Sequence, residues 1–153
     1  MLNDEQARGI ALFFLFSLMD EKIALQAAHK AVASAKATAP RPDRAPADDV
    51  IIKILKKNFD VHRRLLARNR PTEMPTSWIL PNGVTAAGWS RFHKDSSDGE
   101  IIAVVLSKVL GYSDESVAEG LGVSIGTLKY RVGKGVKQLG VALSKTDSPR
   151  ASQ

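Results

Sequence analysis

Seven residues toward the C-terminal end of the chain combine hydroxyl, phenol and cationic side chains at helical spacing: Ser124, Thr127, Lys129, Tyr130, Arg131, Lys134 and Lys137. At about 100° per residue, Thr127, Tyr130, Lys134 and Lys137 fall on one side of a helix, flanked by Lys129 and Arg131. Hydroxyls and a guanidinium can hydrogen-bond to base edges, whereas lysine ammoniums meet phosphates as point charges. Thr127, Tyr130 and Arg131 are therefore candidate base readers, and Lys134 and Lys137 candidate phosphate contacts. Ser124 is placed to cap the helix at the end where unpaired backbone N–H groups also attract phosphate. The chemistry these residues suggest is recognition of a nucleic acid.

A reading helix must be held by a second one. Ser113 to Leu139, SDESVAEGLGVSIGTLKYRVGKGVKQL, has the pattern of a short capped helix, a turn containing Gly122, and a second capped helix with a basic outer face. This predicts a helix-turn-helix. Gly122 can take a positive backbone angle without strain, so two helices can meet steeply across three residues. Val117, Ala118, Leu121 and Val123 supply the buried hinge, and Ile125, Leu128, Val132, Val136 and Leu139 the expected inner face. Gly133 and Gly135 lie inside the second helix, each costing about 1 kcal/mol relative to Ala, so its second half is expected to fray or bend. Upstream, Ser97-Asp98-Gly99-Glu100 has capping-box spacing and opens a helix expected to run through Leu110, with Gly111 as its stop.

Positive charge is concentrated in two places. The chain of 153 residues carries a net charge of +6. Residues 50–70 hold seven Lys/Arg against one Asp, and residues 124–153 hold six against one Asp. Between them, residues 71–123 hold seven acids and three bases. The first basic segment predicts a helix from Asp48 or Asp49 to about Asn69. Ile51, Ile52, Leu55, Phe59, Leu65 and Leu66 form its apolar stripe, and Lys53, Lys56, Lys57, Arg63, Arg64 and Arg68 a second basic surface. Cysteine is absent, which excludes disulfides and thiolate metal sites and suits a reducing cytoplasm.

The remaining segments frame these two. Gly9–Met19, GIALFFLFSLM, is too short to span a bilayer, which needs about 20 residues. Acids on both sides argue against a secretory signal, so a buried helix over 4–18 is expected. Asp20 caps an alanine-rich helix running to about Thr38, and three prolines in residues 40–46 make a loop. Residues 71–96 contain Pro75, Pro81, an Asn82-Gly83 turn and two tryptophans, Trp78 and Trp89, and read as an ordered connector with a short hairpin near the turn. Both tryptophans are expected to be packing anchors. The chain is thus expected to be all-α, with two small helical domains at 1–70 and 97–143, a connector at 71–96 and a tail at 144–153. Catalysis is not expected. His29, His62 and His93 are isolated and fit no metal-ligand spacing, so no metal or cofactor is implied, and Gly120 to Gly126 lacks the strand and spacing of a phosphate loop.

The run DGEIIAVVLSKVLGYSDESVAEGLGVSIGTLKYRVGKGVKQLG resembles the C-terminal promoter-reading domain of bacterial sigma factors, especially the extracytoplasmic-function group. The matching residues are Gly111, Ser113, Asp114 and Glu115, then Val117-Ala118-Glu119, Leu121-Gly122-Val123-Ser124, Gly126-Thr127-Leu128-Lys129 and Arg131-Val132. More faintly, Met19 to Ala24 is similar to the opening of that family's core-binding region, and Ile51 to Arg68 to its basic helix. The resemblance implies a transcription protein that binds double-stranded promoter DNA, with core RNA polymerase and an anti-sigma-type regulator as protein partners and a cytoplasmic location. The sequence departs from the family at Gln26, His29 and Lys30, where an acidic residue and a Gln-Glu pair help grip polymerase, and at Val50, where a tryptophan is common. These departures imply an alternative: a diverged sigma-like adaptor acting as a DNA-binding regulator or protein-interaction module without sigma activity.

Overall fold

A computed structural model describes residues 2–39, 45–66, 80 and 83–147, and among these the chain is all-α. Seven helices follow in order: α1 Asp4–Leu18, α2 Glu21–Thr38, α3 Asp48–Leu65, α4 Ala86–Asp95, α5 Asp98–Val104, α6 Asp114–Leu121 and α7 Ile125–Asp147. A π-helical turn, Val105–Val109, continues α5. No helix among the described residues is long and apolar enough to cross a membrane.

Local chemistry sets most boundaries. Asn3 and Gln6 form a reciprocal capping box at the start of α1, with the Asn3 side chain accepting from the Gln6 N–H at 2.7 Å. Asp20 accepts from the Ile23 N–H at 2.9 Å and starts α2. Ser97 and Glu100 cap α5 as their spacing predicts. Two boundaries differ from the sequence reading. The third helix ends at Leu65, where the Leu66 N–H turns back to the Arg63 carbonyl at 3.1 Å, so it stops short of Asn69. Within 71–96, residues 86–95 form α4, capped by Thr85 at the Gly88 N–H. Trp78 and Asn82, the latter at the expected hairpin turn, lie outside the described residues.

The reason that α4 is a helix lies in what it buries. Trp89 and Phe92 are fully inaccessible, and the Trp89 ring stacks edge-on against Phe16 of α1 with centroids 5.5 Å apart. Its indole N–H donates to the Phe16 carbonyl at 3.0 Å, and His93 Nε2 donates to the same oxygen at 2.7 Å. That carbonyl lies in the last turn of α1, where helix geometry leaves oxygens without intrahelical donors. Two side chains of α4 thus cap α1 from across the core.

One continuous set of buried apolar side chains joins all seven helices: Phe13 and Phe16, Ala27, Ile52 and Phe59, Trp89, Ile102, Val117 and Leu128 all belong to it. Two glycines, on α6 and α7, allow close approaches between helices. A Cβ on Gly120 of α6 would lie 2.5 Å from Ile52 Cγ2 and 3.0 Å from the Asp49 carbonyl of α3. One on Gly135 of α7 would lie 2.5 Å from Val104 Cγ2 of α5. Both distances are below van der Waals contact, so glycine lets the helix backbones close together. The hydroxyl of Tyr112, just before α6, lies 3.8 Å from where a Cβ on Gly9 of α1 would be. Burial, then the nearby charges of Asp48 and Glu5, push its hydroxyl pKa up.

Candidate nucleic-acid interface

The pair α6–α7 is built from its caps and its turn. The Ser113 hydroxyl accepts from the Ser116 N–H at 3.2 Å, and the Ser124 hydroxyl from the Thr127 N–H at 3.0 Å. Gly122 ends α6 in the left-handed region at φ 69°, and the Val123 N–H closes onto the Ala118 carbonyl at 3.0 Å. Val117 and Ala118 are buried, while Leu121 and Val123 are half-buried, so the hinge is anchored mainly from the α6 side.

The second helix is continuous from Ile125 to Asp147, unbroken at Gly133 and Gly135. Its inner face is also rotated from the expected one. Leu128, Gly135 and Ala142 are buried, seven residues apart, whereas Ile125 and Val136 are each 42% exposed. The cause is the close approach at Gly135: a backbone drawn against Val104 makes the glycine, and not the flanking valines, the centre of contact. A helical glycine inside an otherwise apolar pattern was the signal available in the sequence.

The seven candidate residues divide into two groups. Ser124, Thr127, Lys129, Tyr130 and Lys137 are exposed, Tyr130 to 68%. The Ser124 hydroxyl also donates to Thr127 Oγ1 at 3.0 Å, fixing both hydroxyls at the start of the helix. Arg131 and the likewise exposed Lys134 lie against α5. The Arg131 guanidinium is half-buried beside Gly99, within about 4 Å of where a side chain there would begin, and Lys134 Nζ lies 3.2 Å from Glu100 Oε2.

On α3, Lys53, Lys57 and Arg64 are exposed, whereas Lys56 and Arg63 have carboxylate partners. Lys56 pairs with Asp60 one turn away at 2.7 Å. Arg63 Nε donates to both oxygens of Asp98, each at 3.2 Å. Arg68 lies outside the described residues.

Asp98 and Glu100 are thus the residues that sequence reasoning placed only as a cap and that also collect a cation from each basic helix. Both sit in the first turn of α5, where the helix dipole favours negative charge. Glu100 is nearly buried, and burial alone would raise its pKa. The Ser97 backbone N–H at 3.0 Å and the Lys134 ammonium outweigh this, holding the carboxyl below the usual carboxylate range. A cap, an ion pair and a helix contact coincide in one side chain.

No protein-family model matches the sequence, and no curated protein matches it either. The fold is shared with a solved structure, the sigma factor RpoE from Bartonella quintana in complex with the anti-sigma factor NepR. The similarity covers 91% of this chain and 92% of that one, with a TM-score of 0.70 and 17% sequence identity.

Proposed function

We propose that this chain is a sigma-factor-like transcription protein whose α6–α7 pair is a helix-turn-helix that binds promoter duplex. The observation that carries this reading is the exposed Ser124–Thr127–Lys129–Tyr130 surface at the start of a capped helix, on a chain with a sigma-factor fold. The N-terminal turns of α7 enter the major groove. Thr127 and Tyr130 contact base edges, joined by Arg131 once it swings away from Gly99, and Lys137 contacts phosphate, joined by Lys134 once it leaves Glu100. Residues 97–143 form the DNA-binding unit and residues 1–70 the unit that engages core polymerase, with 71–96 between them. The location is the cytoplasm, and the reading requires no catalysis. An anti-sigma-type regulator completes the set of partners, by analogy with the complex in which the similar sigma factor was solved.

A second reading, a sigma-like adaptor, is favoured by one specific observation: Gln26, His29 and Lys30 are all exposed on α2, presenting a neutral-to-positive surface where the family resemblance calls for acids. Two experiments separate the readings. Selection from a random duplex library followed by fluorescence anisotropy measures sequence-specific binding, and its absence sinks the DNA-binding assignment in both. Pull-down with core RNA polymerase then decides between them. Stable capture with promoter-dependent transcription excludes the adaptor, and specific DNA binding without capture supports it.

A further inference from the structure

The start of α5 lies along one stripe of α7. Residues 96–100 meet three α7 side chains, at positions 131, 134 and 138, spacings that share one helical face. The Ser96 hydroxyl donates to Gln138 Oε1 at 2.9 Å, the Arg131 guanidinium lies beside Gly99, and Lys134 Nζ reaches Glu100 Oε2 at 3.2 Å. Glu100 is held in place from two sides. Its other carboxylate oxygen accepts from the Ser97 N–H at 3.0 Å, and its Cβ lies 3.7 Å from where a Cβ on Gly135 would be. The Glu100 side chain is 10% exposed and the Lys134 side chain 48%. The carboxylate is therefore the fixed partner and the ammonium the movable one. At about 100° per residue, Lys134 lies within about 20° of Thr127 around α7, two turns further along. The ammonium that Glu100 holds thus belongs to the outer face that carries the reading residues.

We propose that Glu100 is an internal competitor for duplex phosphate: it holds Lys134 until a phosphate takes its place, and so limits how tightly α7 binds. The proposal rests on α7 being the duplex-binding helix and assigns regulation of that site to a residue outside it. Carboxylate and phosphate oxygens both accept charge-assisted hydrogen bonds from an ammonium. When a duplex docks, a Lys134–phosphate contact replaces a Lys134–Glu100 contact, so the exchange adds little. It also leaves a nearly buried carboxylate without its cation, which costs affinity. Lys137, exposed and without a carboxylate partner among the described residues, contributes its phosphate contact with no such exchange. Phosphates carry no sequence information, so the competitor weakens binding to every duplex alike.

The test is fluorescence anisotropy of the full chain on a selected and a scrambled duplex, comparing wild type with Glu100→Gln. Glutamine keeps an oxygen for the Ser97 cap and removes the charge. Glu100→Gln tightens binding about three- to ten-fold on both duplexes. In a Lys134→Gln background the gain falls below about two-fold, the residue of screened long-range repulsion, whereas in a Lys137→Gln background it persists in full. Thermal melting above the assay temperature confirms that each variant is folded. A second readout needs no substitution: the Glu100 carboxyl carbon resonance of labelled wild-type protein moves on addition of duplex, as the ion pair opens. Three results overturn the proposal: no tightening by Glu100→Gln, an equal gain with Lys134 absent, or a carboxyl resonance unmoved in the saturated complex. The second would reduce Glu100 to one negative charge near the duplex. If neither wild type nor Glu100→Gln binds any duplex, the DNA-binding reading fails and the proposal with it. Duplex binding by wild type that Glu100→Gln leaves unchanged overturns the proposal alone.

Discussion

Two helices carry ten of the 22 lysines and arginines of the chain, and the fold treats them differently. On α3, two of the five described cations are neutralised nearby, Lys56 by its own helix and Arg63 by Asp98 of α5. The apolar stripe of α3 is clamped against α6 at Gly120. On α7 the first two turns project hydroxyls, a phenol and Lys129 outward, while the cations nearest α5, Arg131 and Lys134, face that helix. A basic helix is therefore not one kind of object. Where its cations meet carboxylates already held by the fold, they cement helices together; where no such carboxylate faces them, they remain available to a polyanion.

The largest effect expected from breaking this contrast is structural. Ile52→Ala removes the side chain that fills the space over Gly120 and costs about 2–5 kcal/mol, measured by urea unfolding. A loss below that range would mean that α3 and α6 are not packed as described. Next come the paired glycines of α7. Gly135→Ala forces Val104 or the Glu100 backbone to move and destabilises by about 1–3 kcal/mol, less the gain in helix propensity. Gly133→Ala meets open space and stabilises by about 0.5–1 kcal/mol. Opposite signs at two positions two residues apart are the sharpest check on the rotated inner face, and equal effects would refute it.

Smaller effects concern recognition. Tyr130→Ala costs about 1–3 kcal/mol on a selected duplex and relaxes its sequence preference, whereas Lys57→Ala on α3 changes that affinity by less than about 1 kcal/mol. Anisotropy titrations on selected and scrambled duplexes measure both, and equal losses from the two variants would erase the distinction between the helices. Smallest is the acid limb of stability. Because the Glu100 pKa is lowered on folding, its contribution is full above the ordinary carboxylate range and is lost as pH falls through the lowered folded value. Glu100→Gln flattens that limb. Chemical denaturation across the acid range reports it, and an unchanged slope would detach Glu100 from the ion pair with Lys134.

Much of this was legible in the chain because it is local. The caps at Asp20, Ser97, Ser113 and Ser124, and the turn at Gly122, each depend on residues within a few positions of one another, and each forms as their spacing predicts. The α4 helix was not legible. Its residues AAGWSRFHKD put Trp89, Phe92 and His93 on one helical face, but over only ten residues, and the segment is fixed by a tryptophan and a histidine reaching a carbonyl more than seventy residues away in the chain. Arg63 was read as a free cation for a similar reason, since its partner Asp98 lies thirty-five residues along the sequence.

The sequence by itself determined that the chain is all-α, where most helices begin, and which residue types face outward at the start of α7. Each follows from propensity, capping and periodicity, interactions that span at most a few turns. Only the tertiary structure decided that the inner face of α7 centres on Gly135, that α3 lies on α6, and that Asp98 and Glu100 hold one cation from each basic helix. Those outcomes depend on how closely two backbones can approach and on which charge lies opposite which. Both are properties of pairs of surfaces brought together by a shared core, and no single segment encodes them.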